Sequence, residues 1–180
     1  LFFILLLMVS TAWAADFSST QSGDANVAAT WGGAGVPNPA GGDTITVNAG
    51  HTVTVPAAYT LVTTATVSGS GAELVINGTL TMAAALNLGD GSTLSGGPGG
   101  VLNMGGFDVN GGQAAYETVT YAFQGADGNR FTINGGGGSV VRTGFCHINA
   151  DLAYADIDNI GASTFSRSSS TVVTARYDHV

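Results

Sequence analysis

The chain has 180 residues, a formal net charge of −8 and only 4 basic residues. Binding to a nucleic-acid backbone needs clustered lysines and arginines, so no nucleic-acid partner is expected. The 28 glycines follow no G-X-Y period, which excludes collagen, and the recurring aliphatic residues are untypical of a disordered chain.

An apolar run at residues 1–9 opens the chain and is followed by the small-x-small pattern of Ala12 and Ala14. This pattern predicts a signal peptide over 1–14, a mature chain that starts at Ala15, and a secreted or cell-surface protein. The run is too short to cross a bilayer, which takes about 20 apolar residues, so no stable membrane span is expected after cleavage.

Residues 15–43 are polar and small, which indicates a leader and N-terminal cap before the regular part of the chain. Two short segments then alternate threonine with an aliphatic residue, Thr44–Val47 and Thr52–Val55. Such alternation is typical of strands with one buried face.

Aliphatic positions recur along the middle of the chain at a near-constant spacing. The spacing is about 21 residues for Val55 and Ile76 and for Val67, Leu88 and Val109, and about 22 residues for Leu80 and Leu102. Stacked coils with glycine-rich corners require this recurrence. We therefore predict an all-β fold, a right-handed parallel β-helix (β-solenoid) over 44–180 that continues past Val180 in a longer protein.

Asn77-Gly78 lies between two alternating segments and favours a different fold. An Asn-Gly pair in this position is the strongest short signal for a β-hairpin, so an antiparallel β-sandwich stays open as the alternative. In a solenoid, the same pair would form a corner with left-handed backbone geometry.

The stretch from residue 31 to residue 55 resembles a known family. Its motif comprises Trp31, Gly32-Gly33, Val36-Pro37, Gly42-Asp43, Gly50-His51 and Val53-Thr54-Val55. This order is similar to the opening of the glycine-rich extracellular G-eight domain, which precedes or forms part of pectin-lyase-like right-handed β-helices. The resemblance implies an exported solenoid with glycan-related or adhesive roles, and it implies no single reaction.

Two late segments carry the acidic candidates. Asp156 and Asp158 alternate with apolar residues, and Arg176 and Asp178 do the same about 20 residues later, which is close to the coil spacing. Strands stacked one coil apart would place these four side chains on one outer face. The group would serve either as catalytic carboxylates for glycoside hydrolysis or, through Asp158 and Asp178, as calcium ligands; otherwise it is a solvated face.

Weaker binding candidates lie elsewhere. Trp31 would stack on a sugar ring or plug one end of the core, and His51 would contact a metal or glycan near Asp43 or hold a corner. Thr-x-Thr pairs at 44/46, 52/54, 79/81 and 118/120 raise ice binding as a minor alternative.

These observations predict a surface scaffold or adhesin-like module that binds a polysaccharide, a cell-surface glycan or another partner. A carbohydrate-active enzyme, either a polysaccharide lyase or a glycoside hydrolase, is the alternative, and whether the chain is an enzyme stays open. No cofactor is required, although calcium fits the late carboxylates.

Overall fold

The computed structural model describes residues 14–111 without a break and, beyond them, residues 118–123, 131–134, 140–142, 145–148, 155–158 and 165–167. In this part of the chain the regular elements are β-strands and one short 3₁₀ turn, Ala28–Trp31. None of its helical segments has the length and apolarity needed to cross a membrane.

The strands form three faces that the chain visits in rotation. Face 1 consists of β1 (Asp16–Ser18), β3 (Thr44–Asn48), the second half of β5 (Thr60–Ser68), β8 (Leu86–Leu88), β11 (Val109–Gly111), β14 (Val140–Arg142) and β17 (Phe165–Arg167). Face 2 consists of β2 (Gly23–Asp24), β4 (Thr52–Val55), β6 (Glu73–Ile76), β9 (Ser92–Gly96), β12 (Thr118–Phe123) and β15 (Phe145–Ile148). Face 3 consists of the first half of β5, β7 (Thr79–Met82), β10 (Val101–Asn103), β13 (Phe131–Asn134) and β16 (Ala155–Asp158).

All of the strand pairs among the described residues are parallel, and each joins strands of neighbouring coils. The predicted all-β parallel solenoid is thereby confirmed, and three complete coils lie between Thr44 and Asn103. The right hand of the coil stays a prediction, favoured by the general handedness of parallel crossovers.

The hairpin alternative at Asn77-Gly78 is wrong. The flanking strands β6 and β7 lie on different faces, and each pairs in parallel with other coils. Gly78 also lacks the predicted left-handed geometry, since its φ is not positive. It is required for another reason: a Cβ at this corner would collide with the carbonyl oxygens of Pro56 and Tyr59 in the preceding coil.

Apolar side chains stack inside the coil in continuous rows. Strand β5 shows the pattern most clearly, since buried and partly exposed residues alternate along it. Two rows, on faces 2 and 3, comprise Val53, Leu74, Leu94 and Tyr121, and Leu61, Leu80, Leu102 and Ile133. Burying each such aliphatic side chain contributes about 1.5–3 kcal/mol, so these rows supply the main favourable term in folding.

Most of the predicted coil-to-coil pairs are confirmed. Val55 lies beside Ile76, Val67 beside Leu88 and Leu80 beside Leu102. The predicted pairing of Leu88 with Val109 is wrong, because Val109 lies beside Leu86. Equivalent positions on neighbouring coils are 20 residues apart on face 2, 22 on face 3 and 23 on face 1, as in Glu73/Thr93, Thr79/Val101 and Leu86/Val109. The corners that follow β9 and β10 are therefore longer than those of the preceding coil, and together they shift the partner of Val109 from Leu88 to Leu86.

Candidate functional site

The outer surface of face 1 carries a ladder of hydroxyl and amide side chains, which we call the face 1 ladder. Its members occupy equivalent register positions on successive coils: Ser18, Thr46, Thr66, Asn87 and Asn110. All are exposed or partly exposed, because their strand neighbours point into the core. Parallel strands place successive members about 4.8 Å apart.

Amide side chains hold the later part of the face 1 ladder in position. Asn110 Nδ2 donates a hydrogen bond to Asn87 Oδ1 at 3.1 Å. Each amide then retains further donor or acceptor capacity for a ligand at the surface. Regularly spaced, uncharged hydrogen-bonding groups of this kind match a repeating polymer better than a single small molecule.

Four threonines at the start of face 1 form a compact array. Thr44 lies beside Thr64, and Thr46 lies beside Thr66. Side chains two residues apart along a strand point to the same side, so all four share the outer surface. They place methyl and hydroxyl groups in a regular two-by-two grid.

The Thr-x-Thr pairs expected from the sequence do not form one surface. Thr44/Thr46, Thr52/Thr54 and Thr79/Thr81 lie on faces 1, 2 and 3 respectively. The pair that stacks on Thr44/Thr46 is Thr64/Thr66, which sequence reasoning missed. A search at the coil spacing of about 20 residues would have found it.

Charge is absent from the middle strands of face 1. Strands β3, β5, β8 and β11 contain no Asp, Glu, Lys or Arg, although the whole chain carries a formal net charge of −8. Face 2 differs, because Glu73 lies on its outer surface. The Glu73 carboxylate accepts hydrogen bonds from Ser95 Oγ at 2.7 Å and Thr52 Oγ1 at 3.5 Å.

The late acidic candidates fall partly outside the described residues. Arg176 and Asp178 lie outside them, so their predicted stacking on Asp156 and Asp158 stays a prediction. Strand β16 pairs with β13, which places Asp156 beside Thr132 and Asp158 beside Asn134 on face 3. Among the residues that the structure describes, no three His, Cys, Asp or Glu side chains form a group that could hold a metal ion.

Trp31 belongs to the N-terminal cap. Its side chain is 3% exposed, and its ring meets Phe17 edge-on with centroids 5.9 Å apart. The indole Nε1 donates a hydrogen bond to the Ala25 carbonyl at 2.8 Å. The ring therefore closes the end of the core and presents no open surface to a sugar.

His51 and Asp43, which the sequence placed together, each make local contacts. His51 Nδ1 lies 2.9 Å from Ser19 Oγ in the cap. Asp43 is 9% exposed, and its two carboxylate oxygens accept hydrogen bonds from the backbone of Ala15 and Asn38. His51 thus ties the cap to the first full coil, whereas the Asp43 carboxylate holds two parts of the cap together.

In comparisons with known proteins, no family model, curated protein or solved structure matches the chain.

Proposed function

We propose that the chain is an exported surface module that binds a neutral polysaccharide or cell-surface glycan along face 1. The face 1 ladder carries this proposal, because it presents hydroxyl and amide groups at a constant repeat over successive coils. Threonine and asparagine side chains can both donate and accept hydrogen bonds, as sugar hydroxyls do. Solenoids offer extended surfaces for such contacts.

The charge distribution favours a neutral ligand. A formal net charge of −8 with only 4 basic residues would repel a polyanionic glycan. The uncharged middle strands of face 1 impose no such penalty on a neutral chain of sugars. The similarity of the segment 31–55 to the G-eight domain and to pectin-lyase-like β-helices supports export and a glycan-related role.

Retention on insoluble neutral polysaccharides tests the proposal. The full chain is incubated with cellulose, chitin and a β-glucan, and the unbound fraction is measured with and without Thr66→Lys on the face 1 ladder. Thr79→Lys is the matched control, since Thr79 is a partly exposed threonine on a face 3 strand. Placing a long charged side chain among the ladder groups should weaken binding about tenfold, equivalent to about 1.4 kcal/mol.

Two results would contradict the proposal. If none of the neutral polysaccharides retains the protein, neutral polysaccharides are ruled out as the ligand. If Thr66→Lys and Thr79→Lys are retained equally, face 1 is ruled out as the binding surface. Reducing or unsaturated sugar ends released from any of the polymers would instead favour the alternative, a carbohydrate-active enzyme.

Ice binding is a second candidate that one specific observation favours. The two-by-two array of Thr44, Thr46, Thr64 and Thr66 places four threonines at regular register positions on neighbouring strands. Thermal hysteresis of the full chain measures this activity directly. If Thr66→Lys abolishes the hysteresis and Thr79→Lys preserves it, ice is favoured over a glycan as the ligand of face 1.

A further inference from the structure

Asp43 is a buried carboxylate whose described partners carry no charge. It is 9% exposed, Oδ1 accepts from Ala15 N at 2.8 Å, and Oδ2 accepts from Asn38 N at 2.7 Å. The chain has no lysine, and its four arginines all lie at position 130 or beyond. A carboxylate this far from water is costly unless a cation or strong donors compensate it.

The position of Ala15 provides a source of positive charge. Ala15 is the residue at which the small-x-small pattern of Ala12 and Ala14 predicts that the mature chain begins. Hydrolysis of the preceding peptide bond would turn the Ala15 amide nitrogen into an α-ammonium group at the same place. That nitrogen already lies 2.8 Å from the Asp43 carboxylate.

We infer that the Ala14–Ala15 peptide bond is a processing site, and that the α-ammonium group released there forms an ion pair with the buried Asp43. A signal-peptide-cleaving peptidase adds water across the bond: Ala14 leaves with the new carboxylate, and Ala15 keeps the protonated amine. The inference rests on the proposed export. It assigns Asp43 the role of receiving the mature N-terminus.

Cleavage at this bond preserves the contacts of the first strand. The Ala15 carbonyl accepts a hydrogen bond from Thr44 N at 2.9 Å, and β1 begins at the next residue, Asp16. Strand β1 then continues its parallel pairing with β3. The only change is that a neutral N–H donor becomes a charged one, and a charge-assisted hydrogen bond is about twice as strong.

The absence of lysine makes a selective experiment possible. The full chain, with its leader placed behind an initiating methionine, is expressed in a secreting bacterial host, and the mass of the exported protein locates its first residue. The α-amine is then its only primary amine. Acetylation removes the terminal charge, while reductive dimethylation retains it and serves as the matched control.

We expect an exported protein that begins at Ala15 and melts roughly 4–8 °C lower after acetylation, but not after dimethylation. In Asp43→Asn, acetylation should change the Tm by less than about a quarter of that amount, because the ion pair is already lost. Modification of the native protein provides a second measurement that does not depend on refolding. Only the unprotonated amine reacts, so Asp43→Asn should accelerate native acetylation about tenfold.

Three results would overturn the inference, and they differ in what they say about export. Retention of the leader inside the cell would remove both export and the processing site. An exported chain that begins at another residue would remove the site alone. The third result is cleavage at Ala15 with no difference between the unsubstituted protein and Asp43→Asn, either in the change of Tm on acetylation or in the rate of acetylation. This result would rule out the ion pair and leave export and glycan binding intact.

Discussion

Replacing Gly78 with alanine tests why the coils turn at a glycine. Gly78 lies between β6 and β7, and a Cβ there would collide with the carbonyl oxygens of Pro56 and Tyr59. Neither carbonyl is free to rotate away. The Tyr59 carbonyl accepts from Thr79 N at 2.8 Å, and the Pro56 carbonyl accepts from Tyr59 N at 3.1 Å.

The magnitude of the effect follows from what must move. Relieving the collision requires the two coils to separate at this corner, where Asn77 N and Gly78 N also donate to the Val55 carbonyl at 2.9 and 3.0 Å. Overpacking of this kind costs about 1–3 kcal/mol, and each weakened hydrogen bond adds about 0.5–1.5 kcal/mol. We expect Gly78→Ala to lower the free energy of unfolding by about 2–4 kcal/mol, or the Tm by roughly 5–15 °C.

Gly50 is the matched control, because it is a corner glycine required for a different reason. Its φ is 74°, and a Cβ there would meet nothing within 4 Å. Alanine at Gly50 should cost only backbone strain of about 1–2 kcal/mol, and asparagine, which tolerates left-handed geometry, should cost less than alanine. At Gly78 the order should reverse, since the larger asparagine side chain worsens the collision.

Urea unfolding followed by circular dichroism measures all four variants, with the midpoint compared at constant m-value. The steric explanation fails if Gly78→Ala is no more destabilising than Gly50→Ala. It also fails if asparagine is milder than alanine at Gly78.

Three further predictions concern the cap, the core and the alkaline limit of stability. Trp31→Phe leaves the Ala25 carbonyl without its indole donor and should lower the free energy of urea unfolding by about 1–3 kcal/mol. Leu80→Ala empties a fully buried position and should cost about 2–5 kcal/mol in the same assay, against less than about 0.5 kcal/mol for Thr79→Ala on the surface. Burial raises the pKa of Tyr59. Above pH about 10 the unfolded chain therefore loses the phenolic proton first, and the free energy of unfolding falls as pH rises. Urea midpoints measured from about pH 9 to 11 should fall less steeply for Tyr59→Phe.

The solenoid was predictable because its main signals are periodic. Alternation within a strand shows which residues face inward, and recurrence at about 21 residues shows which of them stack, as Val55 on Ile76 and Val67 on Leu88. Both patterns can be recognised in the sequence without knowledge of any contact. They fail where a corner changes length, and for that reason the predicted partner of Val109 was wrong by two residues.

Corners were less predictable, because a turn signal is local while its outcome depends on the neighbouring coil. Asn77-Gly78 has the composition of a hairpin turn, yet β6 and β7 each find parallel partners about 20 residues away. Nothing local to Gly78 indicates that two carbonyl oxygens of the preceding coil exclude a side chain there. The contact between Asp43 and Ala15 is also non-local, since 28 residues separate them in sequence.

The sequence predicted threonine rows on the outer surface but not which of them stack. Thr-x-Thr pairs indicated polar outer rows, but a pair at 44/46 forms a surface only with whatever the next coil places beside it. That partner is Thr64/Thr66, and the row then continues through Asn87 and Asn110, whose spacing of 23 residues reflects the longer corners after β9 and β10. The register therefore decides which of many exposed polar residues act together.

Charged side chains are unevenly distributed over the described part of the solenoid. Inner positions are closed to charged side chains by burial, so acidic residues must occupy outer faces, corners or the cap. In the described part of the chain, Glu73 lies on face 2, Asp90 and Asp108 lie outside the strands, and the β3, β5, β8 and β11 strands of face 1 stay uncharged. Acidic residues on any outer face would be enough to keep the molecule soluble. The uncharged middle strands of face 1 suit the proposed neutral ligand, and Thr66→Lys compared with Thr79→Lys on face 3, whose strands β7 and β10 are also uncharged, tests whether binding depends on face 1.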